Sequence, residues 1–412
     1  KRKRIGLKGL LYGVACVPAC MAISAGGAFL AWQIARMLRK EYRDFPQGEI
    51  YDAWFYLLSF IALTAALSLA LYNLLRRKVA ASGFLGGALL ALALLAVATS
   101  VFLPGASYLF TWPLLFGAGA LHLTLSQAEG NPSSVRSLLA LALAAVPGLL
   151  LFVPSAYLIL AAVPPSWAGA ACALIALLIV IIVPPLDLLG IPGRRRLPWL
   201  LAGLSAALIL AGGFAAGYDQ DHPKPNNVFY ALNADSGKAV WGSYDLEPDQ
   251  WTSQVFGAQE RGSLSDYIPT SYQGFLKSAA PALPLEAPAV ALLDQRQTEE
   301  GRILRLEIKA TKEAPMMIIQ GNSKSGWAGL SIGDRRINGR IGNRWVINYH
   351  AAGEAIPITV VARSTEPVTI RATGVSYELP RSEEITLSPR PPSMMPAGPY
   401  ADATLVTRTF TF

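Results

Sequence analysis

The stretch "YALNADSGKAVWGSYD", Tyr230 to Asp245, decides the fold of the second half of this chain. Aromatic and aliphatic residues run up to Asn-Ala-Asp-Ser-Gly, and a second short run, Lys-Ala-Val-Trp, follows. Asp-Ser-Gly tolerates the positive φ that a tight turn requires, so the stretch reads as a β-hairpin. Side chains on a strand alternate between its faces. Tyr230, Leu232, Val240 and Trp241 are therefore expected to fill a core, with Asp235 and Lys238 exposed at the turn.

A β-propeller blade contains a hairpin of this form, but a blade buries its face only against neighbouring copies. No second Asp-x-Gly-Lys followed by Trp occurs in the 412 residues, so the propeller is rejected. What the hairpin belongs to must be read from its surroundings.

Upstream, the composition changes. The chain is 53% hydrophobic and only 15% charged, against about 25% charged for a soluble domain. The deficit lies in the first half, where uncharged runs exceed the ~18 residues that mark a membrane-spanning helix. Seven spans are expected, at 9–35, 53–75, 82–104, 106–126, 137–163, 167–189 and 197–217. The only charged residue in any of them is Asp187. It sits near Pro184, Pro185 and Arg194–Arg196, which suits an interfacial position better than a functional one in lipid. Pro147 and Pro154 should kink or break span 137–163, and splitting it would make eight.

Basic residues set the orientation. Lys1, Arg2, Lys3, Arg4, Lys8, Arg76, Arg77, Lys78, Arg136 and Arg194–Arg196 all fall in alternate connections. The opposite side has Arg36, Arg39, Lys40 and Arg43, partly offset by Glu41, Asp44, Glu49 and Asp52. The positive-inside rule puts Lys1 in the cytoplasm, and seven spans then put everything after Tyr218 on the far side. The net charge of +8 divides into +10 for residues 1–217 and −2 for the rest. The excess is topological, with anionic lipid contact as an extra, and is no sign of a nucleic-acid partner. Cys16, Cys20 and Cys172 all lie in expected spans, so the second half has no disulfide framework. The first residue is Lys1 rather than Met, so a processed or partial chain is expected.

After residue 218 apolar and polar residues alternate in "ILRLEIKA" (303–310), "PMMIIQG" (315–321), "RWVINYH" (344–350), "IPITVVAR" (356–363) and "VTIRATGVSYEL" (368–379). Turn residues at 322–326, 333–334 and 351–353 separate them. Strands at this spacing predict an all-β domain, a jelly-roll-like β-sandwich. Residues 246–300 look irregular and Pro-rich. "LSPRPPSMMPAGPY" (387–400) reads as an extended segment before a last strand.

Three segments in order, "LPGASYLFTWPLLF" (103–116), "NNVFYALNADSGKAVWGSYDLEPDQWTSQVFG" (226–257) and "ADATLVTRTFTF" (401–412), resemble the membrane and C-terminal regions of bacterial membrane-bound zinc aminopeptidase-like proteins. Eukaryotic relatives of these are the endoplasmic reticulum metallopeptidase and the vacuolar membrane protease. The resemblance covers nearly the whole chain. It implies a zinc peptidase domain preceding this region, outside this sequence, with Lys1 following a further span on the cytoplasmic side. It also implies an integral membrane protein, of the bacterial inner membrane, with a periplasmic C-terminal domain.

The family's zinc ligands cannot be carried over. The three histidines, His122, His222 and His350, are scattered, with no H-E-x-x-H or H-x-D. Asp219, Asp221 and His222 are candidate metal ligands, against the plainer reading of a polar linker stopped by Pro223 and Pro225. Tyr230, Trp241 and Trp251 are candidates for a docking surface or for the core. Ser107, Tyr108, Trp112 and Pro113 read as an extracytoplasmic corner between spans. The expected function is to anchor a peptidase domain and to position or cap it, with zinc only in that domain. A non-enzymatic scaffold or accessory subunit of a larger membrane complex is the alternative, and a solute transporter the third.

Overall fold

A computed structural model describes residues 6–44, 50–126, 135–188, 196–257, 260–311, 314–337, 341–350 and 355–412. Lys1–Arg4, Glu49, Arg194, Arg195 and the turn at 351–353 lie outside the described residues, as does the side chain of Arg136. The chain divides into two compact units, residues 1–43 with 47–217, and residues 44–46 with 218–412.

Among the described residues the first unit has seven α-helices: α1 Leu7–Leu38, α2 Ala53–Leu75, α3 Ala81–Phe102, α4 Tyr108–Ser126, α5 Val135–Ala162, α6 Gly169–Leu188 and α7 Leu197–Ala215. Six of them, all but α4, are long and apolar enough to cross a membrane. The 19 residues of α4 carry no Asp, Glu, Lys or Arg. The expected break at 137–163 is absent, because α5 runs unbroken through Pro147 and Pro154. Where water does not compete, neighbouring helices and hydroxyls compensate for a proline's missing N–H. Here α4 and α6 flank α5.

Close packing of α1 on α3 rests on two glycine pairs spaced four residues apart, Gly9 and Gly13 against Gly83 and Gly87. A Cβ added at Gly87 would lie 2.5 Å from the Gly13 Cα, and one at Gly13 would lie 2.9 Å from the Gly83 carbonyl oxygen. Small residues let backbones approach where lipid gives no hydrophobic drive for association. Polar pairs fix other contacts. Ser59 Oγ lies 2.8 Å from Ser205 Oγ across α2 and α7, and Tyr42 Oη lies 2.6 Å from Tyr56 Oη and donates to Gly212 O. Asp187 is held at the ends of α2 and α6 by Arg76 Nε at 2.6 Å and Tyr72 Oη at 3.0 Å. Substituting Gly87→Leu should overpack this crossing by roughly 1–3 kcal/mol or more and lower the melting temperature of the detergent-solubilised chain. Gly26→Leu is the control, since nothing lies within 4 Å of a Cβ there. Equal melts for the two variants would remove the crossing from the account of stability.

The second unit is β-rich. Its strands are β1 Lys224–Asn226, β2 Phe229–Asn233, β3 Lys238–Ser243, β4 Arg261–Gly262, β5 Phe275–Ala280, β6 Ala289–Thr298, β7 Gly301–Lys309, β8 Met316–Asn322, β9 Trp327–Ile332, β10 Arg335–Arg336, β11 Arg344–His350, β12 Ile356–Ala362, β13 Thr369–Ser376, β14 Met394–Pro396 and β15 Thr404–Thr411. An eight-stranded sheet has the order β11-β8-β13-β15-β2-β3-β5-β4, and a five-stranded sheet has β10-β9-β12-β7-β6. The region expected to be irregular thus contains β5 and β6. Strand β6 lies at a sheet edge with most side chains exposed, so it shows no alternation to read. Leu304, Leu306, Ile358 and Val360 of the smaller sheet share one buried cluster with Met317, Ile319, Ile370 and Ala372 of the larger.

The opening stretch is the β2–β3 hairpin, with Tyr230 opposite Trp241. Positive φ falls on Gly237, at +66°. The Asn233 carboxamide oxygen accepts the N–H groups of Asp235 and Ser236, which caps the turn. The last strand, β15, lies beside β2 and parallel to it, with Thr404 opposite Tyr230. Both faces of the hairpin are covered. Tyr230, Leu232 and Trp241 enter one cluster, while Phe229 and Ala231 enter another, which Val240 packs against. Val240 therefore faces away from Trp241. Trp241→Ala should cost about 3–5 kcal/mol and make the second unit of the full chain sensitive to protease, while the exposed Lys238→Ala should leave it unchanged. Equal digestion rates for the two variants would refute a core role for Trp241.

Candidate functional site

A connected polar cluster of the second unit lies where β2 begins, and it starts from the consecutive Asn226 and Asn227. Both are buried. Asn227 uses all three of its donors: its N–H donates to Asp245 Oδ2 at 2.8 Å, and Nδ2 donates to the carbonyls of Ala397 and Pro399. Its Oδ1 accepts Tyr244 N–H. Asn226 Nδ2 donates to Asp249 Oδ2 at 3.0 Å, and Asn226 Oδ1 accepts from Arg390 Nε at 3.0 Å.

Arg390 brings in the proline-rich segment. Its guanidinium makes a forked pair with the Asp402 carboxylate, the planar match that favours arginine over lysine. It also stacks over Trp251, 4.2 Å from the ring centroid. Trp251 Nε1 donates to Ser388 O at 2.8 Å. Asp402 holds this position at φ +56°, a left-handed conformation uncommon outside glycine. Segment 387–400, read in sequence as merely extended, is thus clamped along its length.

Two carboxylates in the cluster behave differently. Burial pushes Asp249 up, but Thr252 N–H, Asn226, the Thr252 hydroxyl and the Lys224 charge outweigh it, and its carboxyl stays below the usual range. Burial pushes Asp245 up to about 7, the neighbouring Asp249 adds to this, and Asn227 N–H, Lys224 and Ser243 oppose it only in part. Beside Asp245, Tyr244 packs on Phe275 and Tyr272, and burial raises its phenol to about 12.

Tyr230, Trp241 and Trp251 all lie buried in the cluster below this network. The Tyr230 hydroxyl donates to Pro281 O at 2.7 Å and accepts Leu283 N–H at 3.1 Å. Asp219, Asp221 and His222 form a local turn, in which Asp219 Oδ1 accepts the N–H groups of Asp221 and His222 and lies 3.4 Å from His222 Nδ1. His122 is in α4 and His350 ends β11, so the structure does not gather the histidines. Among the described residues no three His, Cys, Asp or Glu side chains form a group that could hold a metal ion. Asn226, Asn227, Asp249, Arg390 and Asp402 were not singled out from sequence. Two adjacent asparagines before an apolar strand, and one arginine inside a proline-rich run, were the available signals. No family model, curated protein or solved structure matches the chain.

Chemically the cluster is a saturated clamp whose one group titrating near neutrality is Asp245. Its folded value lies above the unfolded carboxylate value of about 3.9, so the folded state holds that proton more tightly. Its contribution to stability is then complete below about pH 4 and declines as pH rises through about 7. Asp245→Asn should therefore gain melting temperature over wild type progressively between pH 5 and pH 8. A difference independent of pH would show that Asp245 is ionised throughout.

Proposed function

We propose that the chain is the membrane-anchoring and exported portion of a membrane metallopeptidase-like protein, and that it positions or caps a zinc peptidase domain outside this sequence. In this reading all seven helices cross the inner membrane, the N-terminal end is cytoplasmic and the second unit is an extracytoplasmic β-sandwich. The observation that carries it is where the family-like segments lie. Residues 226–257 and 401–412, distant in sequence, meet as β2, β3 and β15 at the centre of the larger sheet. Arg390, in the proline-rich strap 387–400, joins the same two segments by bonding Asn226 of the first and Asp402 of the second. Segment 103–116 makes the short turn after α3 and the first half of α4, so Tyr108, Trp112 and Pro113, expected at the corner, lie within the helix. Two of the three segments of the likeness therefore meet at the centre of a sheet.

A non-enzymatic scaffold is the second reading. It is favoured by the clamp itself, whose polar groups satisfy one another and so suit rigidity more than chemistry.

Two measurements test the proposal. Cysteines introduced as Arg77→Cys and Glu300→Cys should label from opposite sides of the membrane, and labelling from one side would overturn the topology. The native cysteines are buried and give little background. The product of the coding sequence extended upstream of Lys1 should hydrolyse aminoacyl reporters when zinc is supplied, while residues 1–412 alone should not. An extended product without zinc-dependent hydrolysis favours the scaffold. Hydrolysis by residues 1–412 that vanishes in His222→Ala would move the site to the 219–222 turn.

A further inference from the structure

One end of the helical unit collects basic side chains that the ion pairs there do not neutralise. Gly9 packs on Val79 and Gly83, with a Cβ at Gly9 placed 3.2 Å from Val79 Cγ1. This brings Lys8, next to Gly9 on α1, to the same end as Arg76, Arg77 and Lys78 between α2 and α3. Asp187 at the end of α6 reaches that end too, but it is engaged by Arg76 and Tyr72. Arg76 is further fixed by donating through Nη1 to the Val79 carbonyl at 3.0 Å. Lys8, Arg77 and Lys78 are exposed, and each is a cation without an acidic partner among the described residues.

The surface beside them is apolar. Leu7, Leu11 and Leu74 are 72%, 59% and 58% exposed on α1 and α2. Cations lying at the end of exposed leucine-bearing helices match an amphiphile with an anionic head and hydrocarbon tails. A protein partner would have to cover leucines that the bilayer already accommodates.

We propose that Lys8, Arg77 and Lys78 form a headgroup site for an anionic phospholipid, whose acyl chains lie along Leu7, Leu11 and Leu74. Arg76 shapes the site by holding the α2–α3 turn through the Val79 carbonyl while Asp187 of α6 fixes its guanidinium, and it does not bind the lipid. A zwitterionic lipid lacks the net charge the site answers, and free phosphate lacks the chains. An exposed basic residue near an anionic membrane surface strengthens binding by roughly fivefold. Replacing all three with glutamine should weaken it by on the order of a hundredfold.

The test uses the full chain in a neutral maltoside detergent, with thermal unfolding followed by tryptophan fluorescence. Dioleoyl phosphatidylglycerol should raise the melting temperature, and tenfold more salt should reduce the rise. Dioleoyl phosphatidylcholine and inorganic phosphate at equal concentration should give no comparable rise. The triple variant K8Q/R77Q/K78Q should melt like wild type in detergent alone and lose the phosphatidylglycerol increment. The proposal is overturned by an undiminished increment in the triple variant, by equal effects of the two lipids, or by inorganic phosphate reproducing the rise. If the triple variant melts lower without lipid, Arg77→Gln and Lys78→Gln are compared singly. Each should then need a higher lipid fraction for half its shift, and unchanged half-shift fractions in both overturn the proposal.

Discussion

A backbone N–H or C=O removed from water must find a partner, and both units of this chain are solutions to that constraint. In hydrocarbon an unpaired group costs several kcal/mol, so the first unit is helical and keeps its bonds within each segment. In the second unit the bonds run between strands, and the strand that completes them is β15. It pairs with β13 on one side and β2 on the other, through registers such as Val375 with Leu405 and Tyr230 with Thr404. Without β15 the larger sheet would present two long unpaired edges inside the molecule. The buried asparagines obey the same rule: Asn227 supplies the partners that Ala397, Pro399 and Tyr244 would otherwise lack as the chain leaves regular structure.

The parts of this fold set by local chemistry were legible in the sequence. Uncharged runs marked all seven helices because the cost of charge in lipid leaves a plain absence to read. Asn233, Asp235 and Gly237 marked the hairpin because a turn is made by its own residues. Alternation marked β7, β11, β12 and β13, which have one face in the shared core or an edge position, while β8 is buried on both faces and stood out as an apolar run. It failed for β6, whose side chains are mostly exposed, and for β5, a short strand ending in small residues. The continuity of α5 was hidden because proline rules drawn from water overstate the penalty where neighbouring helices pack against the backbone.

Partners distant in sequence were not legible. Nothing near Thr404 announces a parallel match with Tyr230, and nothing near Val240 tells which of two covered faces it takes. The polar cluster was missed for the same reason: Arg390 is 164 residues from Asn226, and its meaning appears only when the strap lies across Trp251. Gly9, Gly13, Gly83 and Gly87 differ in kind. Their four-residue spacing was in plain view, yet which helix would oppose which depended on packing.

The placement of β15 has a consequence for how the domain is made. Synthesis delivers β2 and β3 roughly 170 residues before the strand that must lie between β2 and β13. Pairing across such a separation closes a large loop, and topologies dominated by non-local contacts fold slowly. Until residues 404–411 arrive, the hairpin and the β7–β13 region can form only as separate pieces with sticky facing edges. A nascent chain already tethered by its helices would therefore wait in an aggregation-prone state. The interval is set by translation at about 5–20 residues per second, which makes it on the order of ten seconds. Shielding during that interval, by a chaperone or by the membrane surface, is a requirement the finished structure conceals.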